Sequence, residues 1–194
     1  MRKEKTLELE KYINELKWIK KEIVKTDKSF ISIIPQEFEL NNGIIIRREQ
    51  ILKNNNDGSA VIIIPVVNNE YLVTIEPRVF TKNKVSVGFP AGYVEENEET
   101  ETSALRELRE ETGYVPKELI HLDSFYQDEG ISGAYNHIYL ALDCEKKYDQ
   151  DLDSDEVVKY MTFTLEELEE LERLGYICSS NAKLSLCRIK ERKN

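Results

Sequence analysis

Between Gly92 and Gly113 the chain reads Gly-Tyr-Val-Glu-Glu-Asn-Glu98, seven further residues, and then Arg106-Glu107-Leu108-Arg109-Glu110-Glu111-Thr112-Gly113. No other stretch constrains the fold as strongly. A glycine punctuates each end, and residues 100–112 carry the spacing of a helix. On that helix Glu107, Glu110 and Glu111 fall at i, i+3 and i+4, so their carboxylates share one face. Like charges at this spacing weaken a helix by roughly 0.2–0.5 kcal/mol per pair. Hard oxygen donors gathered on one face suit Mg²⁺ or Mn²⁺, which take carboxylates together with water and phosphate oxygens. The alternative is a solvated surface helix on which Arg106 and Arg109 balance the acids.

Charge sharpens the choice. The chain has 27 Lys and Arg against 37 Asp and Glu, a net charge of −10. Such a chain is a poor general nucleic-acid binder, because polyanions seek basic footprints. If it handles phosphates, a bound divalent cation must stand between. At 194 residues and 40% hydrophobic content it has the length of one domain and the composition of a packed core. The longest apolar run, Ala60–Val67, is far short of a membrane span, and the first residues lack the apolar region of a secretory signal. Cys144, Cys178 and Cys187 are odd in number and form no CxxC pair. They read as reduced thiols of a cytoplasmic protein. His121 and His137 lack metal-ligand spacing and read as structural, and Tyr126, Tyr135, Tyr139 and Tyr176 as core rather than base-stacking residues.

Along the chain, residues 6–25 predict a helix with an apolar stripe at Leu9, Tyr12, Leu16, Ile19 and Ile23, widened by Ile13 and Val24. The stripe fits either packing on its own domain or a seam to a second subunit. Period-two patterns then predict strands over 30–34, 37–40 and 44–51, with Asn42-Gly43 as a hairpin turn. The cluster 54–58 ends an N-terminal helix-and-strand extension (1–58) and opens the main domain (59–194). Strands follow over 60–67, 71–76, 85–89, 122–126, 137–142 and 157–163, and helices over 100–112, after Thr164, and over 181–190. Thr164 with Glu167 forms a capping box, and the basic run 188–193 reads as a solvated terminus.

The segment from Gly92 to Gly113 resembles the Nudix box, Gx5Ex7REUxEExGU with U bulky and aliphatic. Eight of its nine specified positions, Gly92, Glu98, Arg106, Glu107, Leu108, Glu110, Glu111 and Gly113, match; Tyr114 replaces the last aliphatic residue. The resemblance implies an α/β Nudix fold, a mixed sheet between helices. It also implies a Mg²⁺ site (Mn²⁺ as the alternative) on Glu107 and Glu111, with Glu110 assisting or holding a further ion. Glu98 would support the site from the loop, and Arg106 would orient the glutamates.

The similarity extends to the ADP-ribose pyrophosphatase branch. Gly88-Phe89-Pro90-Ala91-Gly92 looks like its E-L-P-A-G entry, Glu76-Pro77-Arg78 like its Q-Y-R, and Asp155-Glu156-Val157 fits its tail. This implies a metal contact from the Ala91 carbonyl and a substrate-phosphate contact from Arg78. Three positions depart: Gly88 replaces the opening glutamate, Glu129 the proline of an S-P-G turn, and Ala134 the acid that follows it. Asp128 and Glu129 supply carboxylates nearby, as general base, as ligand to a third ion, or as exposed loop acids.

The expected activity is Mg²⁺-dependent hydrolysis of a phosphoanhydride in a nucleoside diphosphate linked to another group, with ADP-ribose or a related nucleotide sugar leading. The alternatives are another Nudix substrate, such as a dinucleotide, and a ligand-sensing module without turnover. Sensors commonly lose box acids, and this chain keeps all of them. The expected partner is a nucleoside-diphosphate-linked small molecule, with no nucleic acid and no membrane. A homodimer is expected, because the branch is usually dimeric with its N-terminal strands packed across the partner.

Overall fold

The computed structural model describes residues 1–17 and 29–193. Helix α1 spans Lys3–Leu16, and strands β1 (Ile31–Glu39) and β2 (Ile45–Lys53) follow as an antiparallel hairpin. Next come β3 (Ala60–Val67), β4 (Glu70–Pro77), β5 (Val85–Gly88), β6 (Ala91–Tyr93) and helix α2 (Thr100–Thr112). The chain continues through β7 (Tyr114–Val115), β8 (Glu118–Tyr126), β9 (Tyr135–Leu142), β10 (Glu145–Lys146) and β11 (Lys159–Phe163), and closes with α3 (Leu165–Arg173) and α4 (Ser180–Lys193).

The main sheet runs β11-β4-β3-β9-β8, with β5 added to β4 and β6 to β3. Among the described residues only β3 and β9 pair in parallel, Val61 to Pro65 against His137 to Ala141, so the sheet is mixed as expected. β3 is buried on both faces, which is why it reads as a continuous apolar run instead of an alternating one. Val61 and Ile63 face Ala104 and Leu108 of α2, whereas Ile62 and Ile64 join a larger core with α1, α3 and α4. The α2 boundaries match those predicted, as does the Thr164–Glu167 capping box, and α3 is followed by a left-handed Gly175 (φ +82°).

Several expectations need correction. Residues 30–34 and 37–40 are not two strands but one, running through Pro35, because an edge strand tolerates a missing N–H. The strand expected from 122 begins at Glu118, with a register shift between His121 and Asp123 that breaks the alternation. β6 and the β7–β10 pair went unpredicted, being too short to show a period. The basic C-terminal run is not a free tail. It continues α4, and the Arg188 Nε and Nη2 donate to Asp123 Oδ2 at 2.9 and 2.7 Å.

Helix α1 ends at Leu16, where Lys17 turns extended. The rest of the expected helix, with Ile19, Ile23 and Val24, lies outside the described residues. Leu9, Ile13 and Leu16 are buried in the chain's own core. Arg2 clamps the Glu167 carboxylate through Nε (2.9 Å) and Nη2 (2.7 Å), and Lys5 reaches Glu70 at 2.6 Å. The Met1 ammonium meets Glu170. The described part of the stripe therefore packs on its own domain.

The hairpin contrasts with this. None of its residues is buried, and Ile31, Ile33, Ile34, Phe38 and Ile45 are exposed large apolar side chains. Among the described residues, no helix is long and apolar enough to cross a membrane.

Candidate active site

The site is built on α2 by ordinary helix packing. Ala104 and Leu108 bury one face against β3, which turns Glu107 and Glu111 toward the β5–β6 entry loop. Glu111 is only 5% exposed, and its Oε2 accepts the Ala91 N–H at 3.3 Å. β6 pairs with β3 (Ala91 opposite Ile62, Gly92 opposite Val61), which fixes this loop against the helix. A Cβ on Gly92 would lie 2.0 Å from the Glu107 carboxylate, so the position admits only glycine while that carboxylate stays in place.

Arg106 organises the acids. Its Nε and Nη2 donate to the two oxygens of Glu98 at 3.0 and 2.9 Å, a bidentate pair. Its Nη1 donates to Glu107 Oε1 (2.7 Å) and Glu110 Oε2 (3.1 Å), and its Nη2 also reaches the Tyr93 carbonyl (3.1 Å). The Arg106 guanidinium holds the Glu98 carboxyl down at about 2.

Glu107 and Glu111 are both shifted the other way from Glu98. Burial pushes Glu107 up; Arg106 opposes this, while Glu110 and Glu156 add to it. Burial pushes Glu111 well above the ordinary carboxylate range, reinforced by the charges of Glu76, Glu107 and Glu156. A buried carboxyl surrounded by carboxylates is a poor resting state for the ionised form and a good one for a cation. Glu107, Glu111 and Glu110, with the Ala91 backbone alongside, offer the hard oxygens that divalent cations take, while among the described residues no group of three or more His, Cys, Asp or Glu is arranged to hold an ion.

The structure also brings in two acids that were visible in the sequence only as parts of matching segments. Glu76, at the end of β4, accepts from Thr74 Oγ1 (2.8 Å) and pairs with Arg78 at 2.7 Å. Glu156 arrives on the loop 147–158, which is tied to the carbonyl end of α2. The Lys147 and Tyr148 N–H groups donate to the Gly113 carbonyl (2.9 and 3.1 Å), Asp151 N–H to Glu110 O (2.9 Å), and Gln150 Nε2 to Glu111 O (2.5 Å). The carbonyls at the end of the helix thus anchor the loop whose Glu156 charge raises Glu107 and Glu111. Gly113 is left-handed (φ +76°), and a Cβ there would meet the Tyr148 carbonyl oxygen at 2.0 Å.

Asp128 and Glu129 stand elsewhere. Both are exposed on the β8–β9 loop, where the Asp128 carbonyl accepts from the Ile131 and Ser132 N–H groups. Among the described residues neither carboxylate pairs with the α2 acids. Glu129 instead lines a cavity of about 380 Å³ between this loop and the hairpin, with Gln36, Phe38, Arg48 and Gln50. Ala134 is fully buried. The two histidines share the hydroxyl of Ser124, His121 Nε2 at 2.8 Å and His137 Nδ1 at 2.9 Å. Tyr139 is buried with its hydroxyl 2.6 Å from Thr100 Oγ1, and Tyr126 and Tyr135 stack on the surface. Cys144 is buried, and Cys178 and Cys187 are exposed free thiols.

Comparison with known proteins agrees with this architecture. Residues 57–178 match the family model of the NUDIX domain. The chain is 34% identical over 160 residues to an ADP-ribose pyrophosphatase of Bacillus subtilis, covering 81% of this chain and 83% of that protein. It is 32% identical over 156 residues to a methanol dehydrogenase activator of Bacillus methanolicus, covering 78% and 82%. A crystal structure of an ADP compounds hydrolase superposes with a TM-score of 0.72 at 20% identity over 87% of this chain and 88% of that one, which speaks for the fold. A family match spanning most of the chain, around a box that keeps all four of its acids, Glu98 before α2 and Glu107, Glu110 and Glu111 on it, makes this protein a member of the Nudix family of hydrolases.

Proposed function

We propose that the chain hydrolyses the phosphoanhydride of a nucleoside diphosphate linked to a second group, with ADP-ribose or a related nucleotide sugar as substrate. The observation that carries this is the convergence of Glu107 and Glu111 on the Ala91–Gly92 backbone, with the charge of Glu156 felt by both. The named activity of the Bacillus subtilis relative supports the substrate class. Mg²⁺, or Mn²⁺, held by Glu107 and Glu111 with Glu110 and the Ala91 carbonyl beside them, would neutralise the diphosphate and lower the pKa of water.

The chain's own residues supply the rest. Arg106 keeps Glu98, Glu107 and Glu110 in register, so the ligand face costs no reorganisation during reaction. Arg78, about half exposed at the rim, is aimed by its pair with Glu76 and meets the substrate phosphate. Glu156, exposed on a loop anchored to α2, takes the proton of the attacking water. The diphosphate is split into two monophosphates. Glu129 borders the cavity beneath the hairpin, where the second group of the substrate would lie in this reading.

A second copy of the chain covers the hairpin in this reading. Strand alternation sets Ile31, Ile33 and Ile45 on the face opposite Gln36, Phe38 and Arg48, which line the cavity. A two-stranded hairpin with apolar side chains on both faces is marginal alone.

The deciding experiment incubates the protein and its Glu111→Gln variant with ADP-ribose, other nucleotide sugars and dinucleotides, with and without Mg²⁺. AMP release from ADP-ribose that needs both Mg²⁺ and Glu111 is the expected result. Turnover of a dinucleotide alone would reassign the substrate, and no turnover of any compound would favour a sensing module.

A further inference from the structure

The chain's two histidines, His121 and His137, are far apart in sequence and lack the spacing of a metal motif. A β-bulge brings them together. In an unbroken strand, residues 121 and 124 would face opposite sides of the sheet. Instead the pairing of β8 shifts register between His121 and Asp123, which sets His121 opposite Tyr139 and Ser124 opposite His137. Alternate residues of β9 share a face, so His121, Ser124 and His137 all lie on the side where Tyr139 packs with α2.

Two imidazole nitrogens thereby meet on one oxygen. His121 Nε2 lies 2.8 Å and His137 Nδ1 2.9 Å from Ser124 Oγ, and the ring centroids are 5.8 Å apart. A hydroxyl has one proton to donate, so it satisfies one bare nitrogen and leaves the other ring to bring its own proton. A cation in the same place would satisfy both lone pairs at once. Tyr139 stands edge-on to His121 and Tyr135 to His137, each at 5.2 Å between centroids, which orients the two rings. Burial, and then the charge of His121, holds His137 below the ordinary imidazole range, so near pH 7 it is neutral and available as a ligand. His121 is exposed, which gives an ion a way in.

We infer that His121 and His137 form a second cation site, for a divalent ion of the kind of Zn²⁺ that takes imidazole nitrogen, with the Ser124 hydroxyl beside it and water completing its shell. Imidazole suits Zn²⁺, whereas Mg²⁺ and Mn²⁺ take carboxylates and water, so this pair and the acids of α2 select different metals. Two imidazoles are fewer than the three or four protein ligands of catalytic and structural zinc sites, so the ion bound here is open to water and exchanges readily. The site uses no residue of the α2 cluster and does not depend on the reaction proposed above.

The test is proton NMR of the imidazole rings on full-length protein, titrated with Zn²⁺ in excess Mg²⁺. With two histidines in the chain, the ring signals report this pair alone. Both sets of signals should shift together and saturate with Zn²⁺, and neither should move with Mg²⁺ by itself. His121→Ala should raise the Zn²⁺ needed to shift His137 by about tenfold or more, because a lone imidazole loses the advantage of a second ligand already in place. His137→Ala should do the same to His121. Neither histidine is buried, so the fold tolerates both changes. Cys178→Ser/Cys187→Ser removes the exposed thiols, which also take Zn²⁺, and should leave the histidine response intact. Independent movement of the two histidines, a response that never saturates, its loss in the cysteine variant, or an unchanged titration in His121→Ala would overturn the assignment.

Discussion

The α-carbon of Gly92 approaches Glu107 so closely that one added methyl would sit 2.0 Å from the carboxylate carbon. The obstacle is the far end of a side chain, so the fold can absorb an alanine where the site cannot. Gly92→Ala should therefore keep a melting temperature close to wild type and lower kcat at least ~10-fold, a loss of roughly 1.4 kcal/mol in the transition state. Gly113→Ala should do the reverse. There the added carbon meets backbone, at a left-handed φ of +76°, and the cost is ~1–3 kcal/mol of stability. Thermal melts and initial rates on both variants check the contrast.

Glu111 is placed against its own folding preference. Its carboxyl is held well above the usual range by burial first and by Glu76 and Glu107 next, so the ionised form opposes folding above the unfolded value of about 4.3. In EDTA near pH 8, Glu111→Gln should stabilise the fold by ~1–3 kcal/mol, and near pH 4 the gain should vanish. The same variant should lose most turnover with Mg²⁺. A variant less stable than wild type at pH 8 in EDTA would contradict the burial argument.

The general base can be located by three substitutions measured side by side. Glu156→Gln should lower kcat by roughly 10²–10⁴, with KM little changed. Asp128→Asn and Glu129→Gln should stay within a few-fold of wild type in kcat, with any effect of Glu129→Gln appearing in KM. A large kcat loss in either loop variant, with Glu156→Gln near normal, would return the base to the β8–β9 loop.

At the other end of the molecule, Arg2 and Lys5 join α1 to Glu167 and Glu70. Hydrogen bonds from Arg2 hold the Glu167 carboxyl down at about 2; Glu70 also lies at about 2, because bonds from Lys5, Thr162 and Arg2 outweigh its burial. For lowered carboxyls the stabilisation is complete above the unfolded value of about 4.3 and is lost as pH falls toward 2. Arg2→Ala should thus lower the melting temperature near pH 7, and progressively less so below pH 4. Melting curves at the two pH values give the comparison.

Assembly is tested on the hairpin. Ile33→Glu/Ile45→Glu puts two charges on its outer face, where the chain itself covers neither side chain. Light scattering should report a dimer for wild type and a monomer for the variant. A wild-type monomer at tens of micromolar would remove the second copy from the account.

Much of the site was legible in the linear sequence because helix periodicity is local. Three glutamates at i, i+3 and i+4 share a face whatever surrounds them, and a glycine at each end sets where the helix may start and stop. The same holds for the Thr164–Glu167 capping box and for α2 as a whole. Glu76 and Glu156 could not be assigned that way. One enters at the end of a strand and the other on a loop, and only the pairing of β4 in the sheet and the bonds from 147–151 to the end of α2 turn them toward Glu107 and Glu111. Asp128 and Glu129, candidate bases from their place in the chain, lie exposed on the β8–β9 loop, where Glu129 lines the cavity beside the hairpin. The stripe Leu9–Leu16 announced an apolar face, but its partner is the chain's own core, a choice made by Arg2 and Lys5 meeting acids about 65 and 165 residues away. Sequence determined which residues form elements and which face of each is apolar or charged, since both follow from near neighbours. Tertiary packing alone decided which distant charges share a site, because Coulomb and desolvation energies depend on distance and burial in space, not on separation along the chain.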